Sequence, residues 1–428
     1  MKKFFFKKFN TFKNDPFSNL FYFGLFLLPS AFSIAAILLL ISLISSTFTK
    51  RENIFQDKFN IIFFIASFLM VVSSLVHSFN RDYIPYEVDP NLSWIGLANW
   101  IPFFWCYFGF KKFLNSPEKR KKSALILLSG TFPVLITGLG QAFFDWHGPF
   151  EILNGFIVWY QRPIDGITGL TGLFNNPNYA GCWLNVLWPF CIASLMDRGS
   201  YLIKKISVYF FNFGISLSII LTNSRAAWIG IFLGSLLMFG EKSFKLITII
   251  ILVLAIVFSA SIYPIFGENI QNYLQTIIPR SILTEFSDFQ YSRIEIWQSG
   301  INLSFNNPIF GTGASSFPEI FMSQTNLWKG HAHNLPLELI ISYGIPAALM
   351  IIIPISYLTL QVVKIKLLGK NRKESSNYDK AWISSLVVLL ISQMVDVQYF
   401  DGRISIVLWI LLSGSKNILE EKKLIKKI

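Results

Sequence analysis

Long runs of hydrophobic residues dominate this sequence, and short polar stretches separate them. A helix needs roughly 20 mostly apolar residues to cross a bilayer, and runs of that length recur, for example at 243–263 and 334–363. The pattern therefore predicts several membrane-spanning helices that pack together. We expect them at 20–48, 59–77, 94–110, 123–144, 179–196, 206–221, 226–239, 244–263, 335–363, 381–397 and 404–418.

The first run, 20–48, contains Pro29 and Ser30 near its middle. The amino-terminal tail and the segment 50–58 are both rich in basic residues, so both should lie on the cytoplasmic side. An even number of crossings must then separate them. We therefore predict that Pro29 and Ser30 form a turn between two short helices, which makes about twelve crossings in all. We interpret this first run as a retained anchor rather than a cleaved signal peptide.

Basic and non-basic loops alternate along the chain. Segments 111–122 and 364–380 carry six Lys or Arg each, whereas 145–178 carries one and 267–330 carries three. Because basic loops stay in the cytoplasm, we expect both termini there and the other loops on the outer side of the inner membrane.

These signals divide the chain into five parts and indicate an all-α polytopic membrane protein with about 11–12 transmembrane helices. Its one long outward loop should contain an amphipathic helix, because Ile294, Trp297, Ile301 and Phe305 have helical spacing and turn residues follow at 306–308. The predicted parts are a cytoplasmic basic tail at 1–19, an N-terminal transmembrane bundle at 20–263, an outer-face loop at 264–333, C-terminal transmembrane helices at 334–418 and a second cytoplasmic basic tail at 419–428.

Composition agrees with this interpretation. Hydrophobic residues make up 53% of the chain and charged residues 14%, and the mean hydropathy is +0.51. The net charge of +13 does not indicate nucleic-acid binding, because the lysines lie between hydrophobic runs rather than on one basic patch. All three cysteines fall within apolar runs, which argues against a disulfide framework or a thiolate metal site.

Polar residues at the predicted outer edge are the candidates for chemistry. Arg225 and Arg293 could together bind a diphosphate through their guanidinium groups. Each also has a simpler role available: Arg225 could extend to lipid headgroups, and Arg293 could pair with Glu295 or Asp288.

The segment 331–334 contains two of the four histidines. A zinc site would need carboxylates from elsewhere in the chain, so we predict no metal. A neutral His333 is suited to act as a general base near neutral pH, whereas His331 could be only a solvated loop residue. Asn178, within the stretch 175–179, could likewise be only part of a helix cap.

The residues that follow resemble motifs of the O-antigen ligase and O-antigen polymerase superfamily. The similar segments are Arg293-Ile-Glu-Ile-Trp297, Asn307-Pro-Ile-Phe-Gly-Thr-Gly313 and His331-Ala-His-Asn334. As in the ligases, a glycine, here Gly344, follows the His-Asn pair after nine residues. The ligases then have two threonines, where this chain has Ile345-Pro-Ala-Ala348.

The resemblance implies a membrane-embedded glycan transferase of lipopolysaccharide or polysaccharide biosynthesis. Its donor would be an oligosaccharide on a polyprenyl diphosphate, and its acceptor a hydroxyl of a lipid or glycan at the outer face. Transfer would be inverting and would need neither metal nor cofactor. By the same resemblance, His333 would be the catalytic base, and the substrate-binding residues would be Arg225, Arg293, His331, Asn334 and Asn178. Other partners would be membrane lipids, and not nucleic acid.

Two alternatives remain at this stage. Some relatives are labelled as inorganic-carbon transporters, and the first half of this chain is similar to that branch. A carrier usually has ionisable groups near the midplane of the membrane, whereas Asp145, Asp396 and Arg403 lie at the predicted outer boundary. The other alternative is a noncatalytic partner in envelope-glycan assembly, whose arginines only hold lipid headgroups.

Overall fold

The computed structural model describes residues 16–49, 54–80, 89–164, 169–197, 202–277, 293–368 and 376–425, most of them helical. The helices are α1 (Pro16–Leu27), α2 (Phe32–Thr49), α3 (Lys58–Phe79), α4 (Pro90–Leu97), α5 (Ile101–Gly109), α6 (Pro117–Gly130), α7 (Phe132–Phe144), α8 (Pro177–Met196), α9 (Leu202–Leu221), α10 (Arg225–Phe239), α11 (Glu241–Ile262), α12 (Glu268–Ile277), α13 (Arg293–Asn306), α14 (Phe317–Thr325), α15 (Leu335–Lys366), α16 (Asn377–Ser392) and α17 (Gly402–Ile425). Strands β1 (Phe150–Ile152) and β2 (Ile157–Trp159) form an antiparallel hairpin between α7 and α8.

Within the described ranges, four helical segments are long and apolar enough to cross a membrane by length and composition, and several shorter apolar helices accompany them. The four are Lys58–Phe79, Pro117–Phe144, Pro177–Met196 and Leu335–Lys366. This architecture agrees with the predicted all-α membrane protein, while the number of crossings stays a prediction.

The predicted break in the first hydrophobic run is confirmed. Helices α1 and α2 are separate and antiparallel, and Pro29 lies in the turn between them. Gly24 allows close contact, since a Cβ there would meet the Leu39 side chain at 2.8 Å. Near the other end of the pair, Ser42 Oγ donates to the Phe17 carbonyl at 3.2 Å.

Two other predicted helices are less regular than the hydrophobic pattern indicated. The run 94–110 is divided between α4 and α5, and Pro102 occupies the first turn of α5. The run 123–144 forms α6 and α7, which join at Thr131 with Pro133 in the first turn of α7. Proline fits the first turn of a helix but interrupts its interior, which explains both divisions.

Helix α8 lies at the centre of the bundle, where it packs against α6, α9, α10, α16 and α17. Its Trp183 is buried and donates through Nε1 to Thr131 Oγ1 at 3.0 Å. At its amino-terminal end, Gly181 lies against Ala227 of α10. The first turns of α8 and α10 therefore meet at one end of the bundle.

Helix α15 is kinked at Gly344, whose φ of +81° is unfavourable for residues with a side chain. The segment 307–313 crosses the helix at this point. The Ile345 amide donates to the Pro308 carbonyl at 2.8 Å, and a Cβ on Gly344 would lie only 2.1 Å from the Ile309 carbonyl oxygen. Two of the segments that resemble the ligase family thus pack against each other.

The predicted outer loop 264–333 carries the helices α12, α13 and α14. Helix α13 forms where its apolar spacing predicts, but it buries a different face. Ile296 and Leu303 are buried in a small core with α14 and α15, whereas Ile294 and Phe305 are 61% and 74% exposed. Most of the predicted apolar stripe therefore faces away from the protein, and only its Trp297 is partly buried.

Several segments of the charge pattern lie outside the described residues, namely 1–15, 50–53, 198–201 and 369–375. Their predicted positions relative to the membrane stay predictions. At the other terminus, α17 continues to Ile425, beyond the domain boundary predicted at 418.

Candidate active site

Asn334 is the N-cap of α15 and connects this helix to the turn after α16 through hydrogen bonds. Its Oδ1 accepts from the Leu337 amide at 3.0 Å, as an N-cap does, and its Nδ2 donates to the Met394 carbonyl at 3.0 Å. The Leu335 amide adds a bond of 2.9 Å to the Gln393 carbonyl. Because both Oδ1 and Nδ2 of Asn334 are hydrogen-bonded, this residue fixes the start of α15 relative to the turn after α16.

The two histidines before this cap lie side by side. His333 has a φ of +51°, in the left-handed region, and its amide donates to His331 Nδ1 at 3.2 Å. The two rings are 4.4 Å apart between centroids and nearly perpendicular. Ala332 between them is buried, and its amide donates to Glu338 Oε2 at 2.8 Å. The strained turn thus brings both imidazoles to one place.

Asp396 joins the two imidazoles. Its Oδ1 lies 2.9 Å from His333 Nδ1 and 3.7 Å from His331 Nε2, and its side chain is only 5% exposed. The predicted helix 381–397 ends just after Asp396, and no role was predicted for that residue. The sequence does carry a signal, because three polar residues, Gln393, Asp396 and Gln398, follow a run of apolar residues.

A network of side-chain amides holds Asp396 in place. Its Oδ1 also accepts from the Val397 amide at 3.0 Å, and its Oδ2 accepts from Gln398 Nε2 at 3.3 Å. The Gln398 side chain accepts in turn from Gln393 Nε2 at 2.9 Å, and the Tyr399 amide donates to Gln393 Oε1 at 3.1 Å. The carboxylate is therefore oriented before any substrate binds.

The environment of the cluster shifts the pKa values of Asp396 and His331. Burial raises the pKa of Asp396, but the His333 hydrogen bond and the electrostatic interactions with both imidazoles outweigh it, so the pKa lies below its ordinary value. Burial, together with His333 and Arg293, lowers the pKa of His331 to about 4, although Asp396 opposes this. An ionised Asp396 can only accept, so His333 Nδ1 is the donor, and in the neutral imidazole Nε2 is then the free acceptor.

The same three side chains could hold a metal ion. Within the described part of the chain, His331, His333 and Asp396 form a group whose ligand atoms all lie within 4.8 Å of one another. The carboxylate that a zinc site would need is thus supplied by Asp396. The direct hydrogen bond between Asp396 and His333, however, satisfies both groups without an ion.

Arg293 is near this cluster. It occupies the first turn of α13 and is exposed, and its positive charge contributes to the lowered pKa of His331. Helix α13 is fixed there by Ile296, which packs in the same small core as Ala332. The structure therefore brings Arg293 close to the two histidines.

Arg225 and Asn178 lie at the same end of the bundle, on neighbouring helices. Arg225 is exposed in the first turn of α10, and Asn178 is in the first turn of α8, where its amide donates to Asn176 Oδ1 at 2.7 Å. Cys182, one turn farther along α8, contacts Ser392 beside the Asp396 turn at 3.5 Å. Helix α8 thus contacts both the helix of Arg225 and the segment beside Asp396.

Comparison with known proteins identifies one relevant family. Residues 210–352 match the sequence model described as O-antigen ligase. The matched range includes Arg225, Arg293, His331 and His333, whereas Asp396 lies beyond it. No curated protein matches the chain.

Proposed function

Because this chain belongs to the O-antigen ligase and O-antigen polymerase superfamily, we propose that it transfers an oligosaccharide from a polyprenyl diphosphate to an acceptor hydroxyl. The reaction takes place at the His333 end of the bundle, which we assign to the outer face of the inner membrane. It needs no metal and inverts the configuration of the anomeric carbon.

The observation that carries this proposal is the hydrogen bond of 2.9 Å between Asp396 and His333 Nδ1. It leaves the lone pair on Nε2 available to accept a proton, and the His333 side chain is 25% exposed, so a substrate can approach it. Asp396 also stabilises the imidazolium that forms when His333 takes the proton. This is the arrangement that a general base requires.

The bonds change in one step. His333 Nε2 takes the proton from the acceptor hydroxyl while the acceptor oxygen attacks the anomeric carbon of the donor. The bond between that carbon and the diphosphate oxygen breaks on the opposite side, and its electron pair leaves with the diphosphate. Attack from the side opposite the leaving group inverts the configuration.

Positive charge near the histidines supports the assignment of the leaving group. Negative charge develops on the diphosphate as the bond breaks, and fixed guanidinium groups stabilise that charge more in the transition state than in the ground state. Arg293 supplies this charge beside His331, and Arg225 binds the same diphosphate from α10. His331, Asn334 and Asn178 line the substrate site between them.

The test is glycan transfer by the purified full chain in liposomes that contain a lipid-linked oligosaccharide donor. His333→Ala should lower kcat by about 10²- to 10⁴-fold, because it removes the base. Asp396→Asn should also lower kcat, since an amide can neither orient the ring in the same way nor stabilise the imidazolium. His147→Ala is the matched control, because His147 is an exposed histidine on the loop before β1.

Transfer at the wild-type rate by His333→Ala, in protein that is folded and inserted, would contradict the proposed base. If the same liposomes took up bicarbonate and transferred no glycan, the transporter alternative would replace the transferase.

A further inference from the structure

A polar cavity of about 450 Å³ opens beside the proposed active site. Its walls come from the turn between α1 and α2, the β-hairpin, the start of α8 and the start of α17. The volume falls within the range of about 300–1,000 Å³ that is typical of small-molecule sites. The side chains that matter here are Phe156, Tyr160, Asn175, Tyr179, Asp401 and Arg403.

The outer wall of the cavity is fixed to the bundle. Ser33 Oγ donates to the Phe156 carbonyl at 2.6 Å, and Trp159 Nε1 donates to the Ser30 carbonyl at 2.7 Å. These two bonds attach the β-hairpin to the turn between α1 and α2. The aromatic side chains of Phe156 and Tyr160, which are 45% and 43% exposed, are thereby held at the cavity.

The inner wall presents a paired carboxylate and guanidinium. Arg403 Nε donates to Asp401 Oδ1 at 2.9 Å, and the guanidinium lies 3.8 Å above the ring centre of Phe174. Asn175 adds a further polar atom, because its Oδ1 is buried without a hydrogen-bond partner among the described residues. A buried acceptor of this kind costs free energy unless a ligand donates to it.

The cavity lies next to the segment that carries Asp396. Asp401, which lines the cavity, and Asp396 both lie in the short segment between α16 and α17. Tyr179 lines the cavity from α8, which packs against α16. A molecule bound in the cavity therefore lies near the residue that bonds to His333. Arg293, in the first turn of α13, does not line the cavity; it affects the cluster at His331, whose pKa it lowers.

We propose that this cavity binds the acceptor glycan and thereby presents a sugar hydroxyl to His333. This assignment rests on the proposed function. Aromatic faces contact the apolar face of a sugar ring, while Asn175, Asp401 and Arg403 bond to its hydroxyl groups. Such a mixture of apolar faces and oriented polar groups is what a neutral polyhydroxyl ligand requires.

The charge in the cavity argues against its being the diphosphate site. Arg403 is already neutralised by Asp401, so the pair attracts a dianion weakly, and a lipid chain would leave the polar wall without partners. A glycan satisfies both the Asp401–Arg403 pair and Asn175.

The test compares two phenylalanines on the same hairpin in the transfer assay. Phe156→Ala removes an aromatic face from the cavity and should raise the KM for the acceptor about tenfold, with little change in the KM for the donor. Phe150→Ala is the matched control, since Phe150 is equally exposed, at 45%, but lies outside the cavity lining. Equal effects of the two variants on the acceptor KM would overturn the assignment.

A binding measurement separates this inference from the proposed function. The probe is a mixture of oligosaccharides released by mild acid from the envelope of cells that express this chain. Saturation-transfer NMR on the detergent-purified full chain should show contact with sugar ring protons, reduced in Phe156→Ala and retained in Phe150→Ala.

The two proposals can then fail independently. Glycan contact that depends on Phe156, together with full transfer by His333→Ala, would overturn the catalytic base and keep the glycan site. Transfer that depends on His333, with no glycan contact in the wild-type chain, would overturn the cavity assignment alone.

Discussion

At the scale of single residues, the central feature is one carboxylate that serves two imidazoles. Asp396 bonds to His333 and lies 3.7 Å from His331, whose Nδ1 is occupied by the His333 amide. His331 therefore directs Nε2–H toward Asp396 when it is neutral. The cluster accommodates His331 in its neutral form, so protonation of His331 in acid should destabilise the folded protein.

We predict that His331 makes the folded protein sensitive to acid. Its pKa falls from 6.5 to about 4 on folding, so between these values the unfolded chain binds a proton that the folded chain does not. Stability therefore decreases as the pH falls from about 6.5 to 4, by at most roughly 3 kcal/mol. Thermal unfolding of the purified protein across this range should show a flatter dependence for His331→Gln than for the wild type.

His147→Gln is the control for this measurement, because the His147 side chain is 50% exposed. It should leave the pH dependence unchanged. Identical curves for His331→Gln and the wild type would show that His331 is not held neutral in the folded protein.

At the scale of elements, the kink in α15 explains why glycines recur in the family-like segments. Gly311 and Gly344 both have positive φ, and each lies against the backbone of the other segment. A Cβ on Gly311 would meet the Ile341 carbonyl oxygen at 2.3 Å. The crossing fixes α15 about three turns after His333 and connects it to the segment that follows α13, the helix of Arg293.

We expect Gly344→Ala to destabilise the protein and to reduce transfer. The substitution combines an unfavourable φ with a clash against the Ile309 carbonyl oxygen, for a cost of about 3 kcal/mol or more. The measurement is the midpoint of thermal unfolding, followed by kcat. Gly330→Ala is the control, because no described atom lies within 4 Å of a Cβ at that position. Equal midpoints for the two variants would refute the close crossing.

At the scale of the whole molecule, ion pairs connect several helices at the end of the bundle opposite His333. Arg120 of α6 is fully buried, and its Nε lies 2.8 Å from Asp379 Oδ1 of α16. Its Nη1 lies 2.8 Å from Glu421 Oε1 of α17, and Lys366 of α15 also reaches Asp379, at 3.0 Å. Helices α6, α15, α16 and α17 are thus joined by one ion-pair network around Arg120 and Asp379.

We predict that Asp379→Ala lowers the stability of the bundle by about 3–5 kcal/mol, because it leaves a buried guanidinium without this partner. Asp197→Ala is the control, since Asp197 pairs with Lys121 where both side chains are about 40% exposed; it should cost no more than about 1 kcal/mol. Unfolding of both variants in denaturant would measure the difference. A similar loss in both would mean that the buried network is no stronger than an exposed pair.

Features that depend on neighbours along the chain can be predicted from the sequence alone. Hydrophobic length predicts the helices, and Pro29 predicts the break between α1 and α2, because both follow from the local properties of a short segment. The segment that contains His331 and His333 was found in the same way, since it directly precedes an apolar run.

Which of these residues act together depends on how distant segments pack in the folded protein. Asp396 lies 63 positions after His333, and the cavity draws on four segments between residues 29 and 403. The buried face of α13 was likewise decided by α14 and α15 rather than by its own apolar spacing. Contacts between distant segments arise from the packing of whole helices, and local periodicity does not encode which face of a helix meets which neighbour.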